Sequence, residues 1–155
     1  MAIKKVKEYL KQWGMYKRIQ EFDVSSATVE LAAKALNCEP ERIAKTLAFK
    51  VNDTAVLIVT AGDAKIDNQK YKAKFDAKAK MLSPDEVQNL VGHAVGGVCP
   101  FAIKEGVSVY LDNSLKRFET VFPACGSSNS VIELSIPELE KCSKPIEWVD
   151  VCRLN

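Results

Sequence analysis

Two apolar runs separated by a two-residue turn constrain the fold of this chain more than any other feature. KTLAFKV covers residues 45–51, TAVLIVT covers residues 54–60, and Asn52-Asp53 stands between them. Both runs are rich in β-branched and apolar residues, and the Asn-Asp pair favours a tight turn. They predict a β-hairpin at the centre of a sheet, with Lys45 at its first position.

Helix signals surround this hairpin. Ile3, Val6, Leu10 and Trp13 recur at helical spacing before Gly14, which predicts an amphipathic opening helix. Further helices are predicted from caps and from proline: residues 29–36 capped by Ser25 and Ser26, a short helix from Pro40 to about Ala44, a lysine-rich helix within residues 61–75, and two helices opened by the capping boxes Ser83–Glu86 and Ser135–Glu138.

Strand signals return in the last third of the chain. Alternating apolar and polar residues predict strands at 107–112, near 118–122 and at 130–135, with an edge strand at 146–151 and a short early strand at 18–22. Because helices and strands interleave while neighbouring strands look hairpin-connected, the predicted class is α/β (α+β). The expected architecture is a mixed twisted β-sheet or partly closed barrel surrounded by helices, in one domain over residues 1–155.

Composition excludes several classes of protein. The five cysteines are odd in number and no two are closer than ten residues, which fits neither a disulfide framework nor a CxxC zinc site. His93 is the only histidine, so a classical metallohydrolase is not expected, and we predict neither metal nor cofactor. No apolar run is long enough for a signal peptide or a membrane span, which predicts a cytoplasmic protein without a membrane partner.

A glycine-rich loop at residues 92–101 is the most unusual stretch. It reads GHAVGGVCPF, and three glycines leave its backbone bare while Pro100 stiffens it. Bare N–H groups can approach a ligand and donate hydrogen bonds to a carbonyl or a developing oxyanion. A tight turn under a buried Phe101 is an equally good interpretation of the same residues.

Lysines offer two further candidates. Lys45 would stand at the mouth of a buried strand, where a fixed cation can hold a phosphate or polarise an ester carbonyl; a lysine that reaches from a strand end into water is the alternative. The run Lys65, Lys70, Lys72, Lys74, Lys78 and Lys80 could follow a phosphate backbone or could simply form a solvated face.

His93 and Cys99 are candidates for more conventional hydrolytic chemistry. An imidazole titrates near neutral pH and could act as a general base, and a thiol in the glycine-rich loop could act as a nucleophile. A structural histidine and a small buried thiol are the alternatives. No GxSxG motif is present, so a conventional serine acyl transfer has little support.

Taken in order, these pieces resemble the YbaK/EbsC family, which is related to the editing domain inserted in bacterial prolyl-tRNA synthetases. The resemblance runs over almost the whole chain and rests on an ordered set of motifs: Lys45-Thr46, Gly62-Asp63 with Lys65 and Asp67, Gly96 to Pro100 as a GxxxP loop, Tyr110-Leu111-Asp112, and Cys125-Gly126 through Ile132-Glu133-Leu134.

The resemblance implies hydrolysis of the ester that joins a wrong amino acid to tRNA. It implies a metal-independent reaction in which water attacks the carbonyl with help from the substrate's own groups, on tRNA-Pro or a related tRNA. The implied partners are the aminoacyl-tRNA acceptor end and, as a second candidate, an aminoacyl-tRNA synthetase. Lys45, Gly96, Gly97 and Pro100 would be the catalytic residues; Phe22, Thr46, Val98, Cys99, Ser127 and Ser128 would bind the substrate.

Two other functions remain open from the sequence. A non-catalytic module of the same fold could hold the aminoacylated end or a synthetase. A small-molecule hydrolase could work through Cys99 or His93 instead of Lys45.

Overall fold

The computed structural model describes residues 2–154. Across this range the chain forms five α-helices: α1 (Ala2–Leu10), α2 (Val29–Leu36), α3 (Asn68–Phe75), α4 (Pro84–Leu90) and α5 (Ile136–Ser143). It also forms ten strands: β1 (Gln20–Glu21), β2 (Ile43–Val51), β3 (Thr54–Ala61), β4 (Ala64–Ile66), β5 (Ser108–Asp112), β6 (Thr120–Pro123), β7 (Ser130–Val131), β8 (Leu134–Ser135), β9 (Glu147–Val149) and β10 (Cys152–Leu154). Short 3₁₀ turns cover Lys11–Trp13, Tyr16–Arg18, Pro40–Arg42 and Asn113–Arg117.

Six strands form a mixed sheet in the order β8-β6-β2-β3-β5-β9, curled into a half-barrel. The predicted hairpin lies at its centre, with β2 antiparallel to β3 from Ala44 opposite Ala61 to Val51 opposite Thr54. β6 pairs with β2, β5 with β3, and β9 with β5 in parallel, while β8 is antiparallel to β6. The predicted fold class is therefore confirmed, including the edge position of the strand near Trp148.

Two small antiparallel ladders lie outside this sheet. β1 pairs with β7, and β4 pairs with β10. The sequence predicted neither β4 nor β10, and the strand predicted over residues 130–135 is divided into β7 and β8. Such short strands form because distant segments meet, so local alternation carries little signal for them.

The core lies between the helices and the two faces of the sheet. The middle of β3 is fully buried at Leu57, Ile58 and Val59, as expected for a central strand covered on both faces. α1 contributes Val6 and Leu10 to the same core. Among residues 2–154, no helix has the length and apolarity that a membrane crossing requires.

Some predicted helix boundaries were wrong. Thr28, rather than Ser25 or Ser26, caps α2, because its hydroxyl accepts a hydrogen bond from the Leu31 amide at 3.2 Å. The turn that begins at Pro40 ends at Arg42 instead of Ala44, so β2 starts earlier and Lys45 is its third residue rather than its first. The capping boxes of α4 and α5 are both present as predicted.

Candidate active site

A cavity of about 200 Å³ opens between the start of β2, the N-terminal end of α2 and the glycine-rich loop. Most of its lining is apolar. Lys45 is its charged residue, and no Asp, Glu or His within residues 2–154 lines it. The lining residues are Ser26, Ala27, Thr28, Val29, Ala32, Ile43, Ala44, Lys45, Thr46, Ala48, Met81, Leu82, Val87, Val95, Gly96, Val98, Phe122, Ala124 and Val131.

Lys45 enters this lining from β2, where it pairs with Thr60 of β3. Its side chain is half-buried, and its Nζ atom donates a hydrogen bond to the carbonyl oxygen of Gly62 at 3.4 Å. Burial lowers the pKa of Lys45, while the nearby carboxylates of Asp63 and Glu30 oppose that effect. The site therefore holds a partly desolvated cation, which interacts more strongly with a ligand's negative charge than a lysine in water does.

Gly62 and Asp63 lie beside this lysine but outside the cavity lining. A Cβ atom on Gly62 would lie 2.0 Å from the Pro40 carbonyl oxygen, so only glycine fits there without displacing the backbone. Asp63 accepts two hydrogen bonds from the Arg117 guanidinium, at 3.0 and 2.5 Å. That guanidinium lowers the pKa of Asp63, which keeps the carboxylate ionised and occupied by Arg117.

Thr46 places a buried hydroxyl group in the cavity wall. Its Oγ1 atom is buried and has no hydrogen-bond partner within residues 2–154. A buried hydroxyl without a partner carries a desolvation cost. Thr46 therefore lines the cavity, while its hydroxyl is not exposed to the space inside it.

The glycine-rich loop reaches the cavity through Gly96 and Val98. Gly97, between them, is buried against the neighbouring backbone: a Cβ atom there would lie 2.6 Å from the Ser127 nitrogen, and its carbonyl oxygen accepts a hydrogen bond from the Gly126 amide at 3.0 Å. Gly96 has a φ of +98°, a conformation that L side chains rarely adopt. Gly97 thus packs the loop against residues 126–127, and Gly96 allows the loop to turn toward the cavity.

The amide groups of this loop differ in whether they donate a hydrogen bond to another part of the protein. The Gly97 amide donates to the Ala94 carbonyl at 3.1 Å. The amides of Gly96 and Val98 donate to no protein acceptor within residues 2–154. The loop residues that line the cavity, Val95, Gly96 and Val98, therefore keep free amide donors within residues 2–154, whereas the amide of Gly97 is used.

Pro100, Cys99 and His93 do not line the cavity. Pro100 lines a separate cavity beside Tyr9 and Lys144. Cys99 is fully buried, and burial raises the pKa of its thiol to about 12, so the thiol stays protonated. His93 is 1% exposed; its Nε2 atom lies 2.8 Å from the Phe101 carbonyl oxygen, and burial lowers its pKa.

Phe22, Ser127 and Ser128 support the cavity wall from behind. The Phe22 amide donates to the Asn129 carbonyl at 2.8 Å, and the Ser26 amide donates to the Ser128 carbonyl at 2.7 Å. The Ser127 hydroxyl is hydrogen-bonded to Asn129 and Ser130. These residues join the N-terminal segment to the segment before β7, and none of them belongs to the cavity lining.

Several lining residues were not predicted from the sequence. Met81 and Val95 are large apolar side chains that are 58% and 64% exposed at the edge of the cavity, and Ala27 and Thr28 complete the side opposite β2. Thr28 had a usable signal, because a threonine directly before the first helical residue is a preferred cap. Met81 and Val95 had none, since isolated apolar residues in loops are common.

The fold is that of an editing domain. The sequence profile of the aminoacyl-tRNA editing domain matches residues 23–142, and the chain belongs to that family. This confirms the resemblance seen in the sequence.

Particular relatives extend the comparison. The uncharacterized protein YwhH of Bacillus subtilis (strain 168) is 52% identical over 154 residues, which cover 99% of this chain and 98% of YwhH. A proline–tRNA ligase of Geobacillus sp. (strain WCH70) is 32% identical over 102 residues, which cover 65% of this chain and 18% of the ligase. A crystal structure of a proposed trans-editing enzyme for prolyl-tRNA synthetase superposes with a TM-score of 0.88 at 25% identity, covering 98% of this chain and 97% of that one.

Proposed function

We propose that this protein is a trans-acting deacylase that hydrolyses the ester bond of mischarged aminoacyl-tRNA. The observation that carries the proposal is that Lys45 lines one small cavity together with Gly96 and Val98, whose amides have no acceptor within residues 2–154. Such donors stabilise the negative charge that develops on a carbonyl oxygen when water attacks an ester.

The size of the cavity supports a small amino acid as the acyl group. The cavity has a volume of about 200 Å³. Its walls are mainly the methyl and methylene groups of Ala, Val and Ile residues, so a bulky side chain would find no room. The ribose and the rest of the acceptor end would remain outside, on tRNA-Pro or a related tRNA.

The proposed mechanism depends on positioning. Lys45 holds the terminal nucleotide or polarises the ester carbonyl, and the two loop amides receive the developing oxyanion. Because the described lining offers no carboxylate or imidazole, we propose that a substrate group, such as a ribose hydroxyl, accepts the proton of the attacking water. The same lining offers no ligand set for a metal, which supports a metal-independent route.

The other residues predicted for the site have less direct roles in the proposed mechanism. Thr46 is proposed to contact the substrate as part of the cavity lining, Gly97 and Pro100 to fix the loop from outside the cavity, and Phe22, Ser127 and Ser128 to hold its wall. Cys99 and His93 are given no chemical role, since both are buried away from the cavity. A synthetase that delivers the substrate, and action in the cytoplasm where aminoacyl-tRNA is used, belong to the same proposal.

The lack of a protein base also favours a second candidate, a non-catalytic module that binds the aminoacylated end. The two are separated by measuring the release of amino acid from alanyl-, cysteinyl-, seryl- and threonyl-tRNA. We expect hydrolysis of at least one ester, reduced about 10²-fold or more in Lys45→Met.

Lys141→Met, which removes an exposed lysine of α5, is the matched control and should keep the wild-type rate. Binding without release by the wild-type protein would favour the module. Equal activity in Lys45→Met and wild type would remove Lys45 from the mechanism.

A further inference from the structure

The lysines of α3 are divided between two faces with different surroundings. Lys70 forms an ion pair with Asp150 at 3.0 Å and also donates to the Cys152 carbonyl at 2.9 Å. Lys74, one turn later, pairs with Glu147. These two lysines therefore attach α3 to the C-terminal strands, and their charges are already compensated.

Lys72 lies on another face of the same helix. It lines a groove of about 450 Å³ together with Asn68, Gln69, Lys78 and Ala79. Asn68 and Gln69 precede Lys72 by four and three residues, so the three side chains share one face. Neither Lys72 nor Lys78 lies within 4.0 Å of a carboxylate oxygen in the part of the chain that the structure describes.

Nearby acidic residues do not neutralise this groove. Asp67 caps α3, and its Oδ1 atom accepts hydrogen bonds from the amides of Gln69 and Lys70 at 3.0 and 3.1 Å. Asp76 ends the helix in a left-handed conformation. Neither residue lines the groove. Two uncompensated ammonium groups and two side-chain amides thus face the same space.

The segment after α3 connects the groove to the cavity of the candidate active site. Ala79 lines the groove and Met81 lines the cavity, and two virtual bonds of about 3.8 Å separate their Cα atoms by at most about 7.6 Å. The segment is held against β2, because the Lys50 amide donates to the Lys80 carbonyl at 2.8 Å and the Leu82 amide donates to the Ala48 carbonyl at 3.0 Å.

We propose that this groove binds the phosphodiester backbone of the RNA whose aminoacylated end occupies the cavity. The inference rests on the proposed function. Ammonium and side-chain amide groups are donors suited to phosphate oxygens, and such contacts set the position of the nucleic acid without reading its sequence. The sequence left the lysine run open between a solvated face and a phosphate-binding face. Within this run, Lys70 and Lys74 form ion pairs with the C-terminal segment, whereas Lys72 and Lys78 form none and line the groove. We therefore assign phosphate binding to Lys72 and Lys78.

The test compares two double variants that remove the same charge from the same region. Lys72→Gln/Lys78→Gln removes the two groove lysines that have no ion pair, and Lys70→Gln/Lys74→Gln removes the two paired lysines of α3. Binding of tRNA that carries no amino acid is measured by fluorescence anisotropy over a range of salt concentrations. Because this tRNA has no aminoacyl ester, the result does not depend on whether the protein hydrolyses one.

We expect the first variant to bind about tenfold more weakly than wild type at low salt. The slope of log K against log salt should decrease in magnitude by about 1.4–1.8, as expected for two lost phosphate contacts. The paired-lysine variant should stay within about twofold of wild type with an unchanged slope.

Three results would overturn the groove proposal: equal loss in both variants, no loss in the first, or poly-glutamate binding as tightly as tRNA and competing with it. The last result would identify an acidic protein segment as the ligand. A wild-type protein that binds tRNA through this groove but hydrolyses no ester would instead contradict the proposed function alone.

Discussion

The Nζ atom of Lys45 lies 3.4 Å from the carbonyl oxygen of Gly62, and this hydrogen bond joins the start of β2 to the residue that directly follows β3. The position of the ammonium group therefore depends on a residue that has no side chain. Gly62 is in turn confined by Pro40 and Val29, so local packing fixes the carbonyl group that holds the Lys45 ammonium group.

Gly62→Ala should reduce both stability and deacylation. The added Cβ atom would lie 2.0 Å from the Pro40 carbonyl oxygen, so the backbone must shift, at a cost of about 1–3 kcal/mol. The shift would also displace the hydrogen-bond partner of Lys45. Urea unfolding and single-turnover deacylation measure the two effects. Gly106→Ala is the control for deacylation: its φ of +87° should cost stability through backbone strain, but its Cβ atom would meet nothing within 4 Å, so it should keep wild-type deacylation. Full activity in folded Gly62→Ala would contradict the proposal that deacylation depends on the hydrogen bond from Lys45 to Gly62.

Lys45→Met should fold as well as wild type. Burial lowers the pKa of Lys45, which means that the folded state binds its proton less tightly than the unfolded state does. The charged form of such a lysine therefore destabilises the folded state, and the free energy of unfolding rises as the pH rises and the lysine loses its proton. Its replacement by an apolar side chain of similar length should change the free energy of unfolding by less than about 1 kcal/mol at pH 7, toward higher stability. Urea unfolding at pH 7 and pH 10 checks this, and a large loss at pH 7 would assign Lys45 a structural role.

The free energy of unfolding should fall at acidic pH, because Glu138 becomes protonated and loses its ion pair with Arg18. Its hydrogen bonds with Arg18, at 2.8 and 2.9 Å, are the largest cause that lowers the pKa of Glu138 to about 2. A depressed carboxyl pKa contributes stability that is present above the unfolded pKa of about 4.5 and is lost as the pH falls toward 2. Glu138→Gln should therefore be less stable than wild type at pH 7, and the difference should shrink between pH 5 and pH 2. Thermal unfolding across this range measures it; a constant difference would contradict the assignment.

Cys38 should react with a thiol reagent before the other four cysteines in the folded protein, although burial raises the pKa of its thiol as well. Cys38 is partly exposed, whereas Cys99, Cys125, Cys142 and Cys152 are buried. Burial also raises the pKa of the Cys99 thiol to about 12, which leaves almost no thiolate at neutral pH. Titration with a disulfide reagent should give one fast thiol in native buffer and five in denaturant, and Cys99→Ala should retain deacylation. Loss of activity in folded Cys99→Ala would return Cys99 to the mechanism.

The sequence predicted the parts of this fold that are local. The β2–β3 hairpin follows from its apolar runs and its Asn52-Asp53 turn, and the boxes that open α4 and α5 follow from residues three apart. The pairing of β4 with β10 could not be predicted in this way. It joins Ala64 to Leu154 across most of the chain, and each strand has three residues.

The candidate site shows the same division at the level of single residues. Lys45 and Thr46 lie on a long, well-predicted strand, and both line the cavity. In the glycine-rich loop, Val98 lines the cavity while Pro100, two residues later, faces a different one. The direction of each side chain in an irregular loop is set by what packs against it, here the Gly126–Ser127 backbone, and no sequence period encodes that contact.

The segment of residues 20–28, whose last three residues line the cavity, has a consequence for dynamics. It is held to residues 128–131 by the two-residue ladder of β1 with β7 and by two further amide hydrogen bonds, from Phe22 and Ser26. Two segments a hundred residues apart thus meet through few backbone bonds, whereas the β2–β3 pair is long and central. Amide hydrogen exchange should be faster at Phe22 and Ser26 than at Leu57 or Ile58, since short peripheral ladders open without global unfolding. Such an opening would separate the cavity's wall from Lys45 while the sheet stays intact, so the cavity could admit an acyl group by local opening alone.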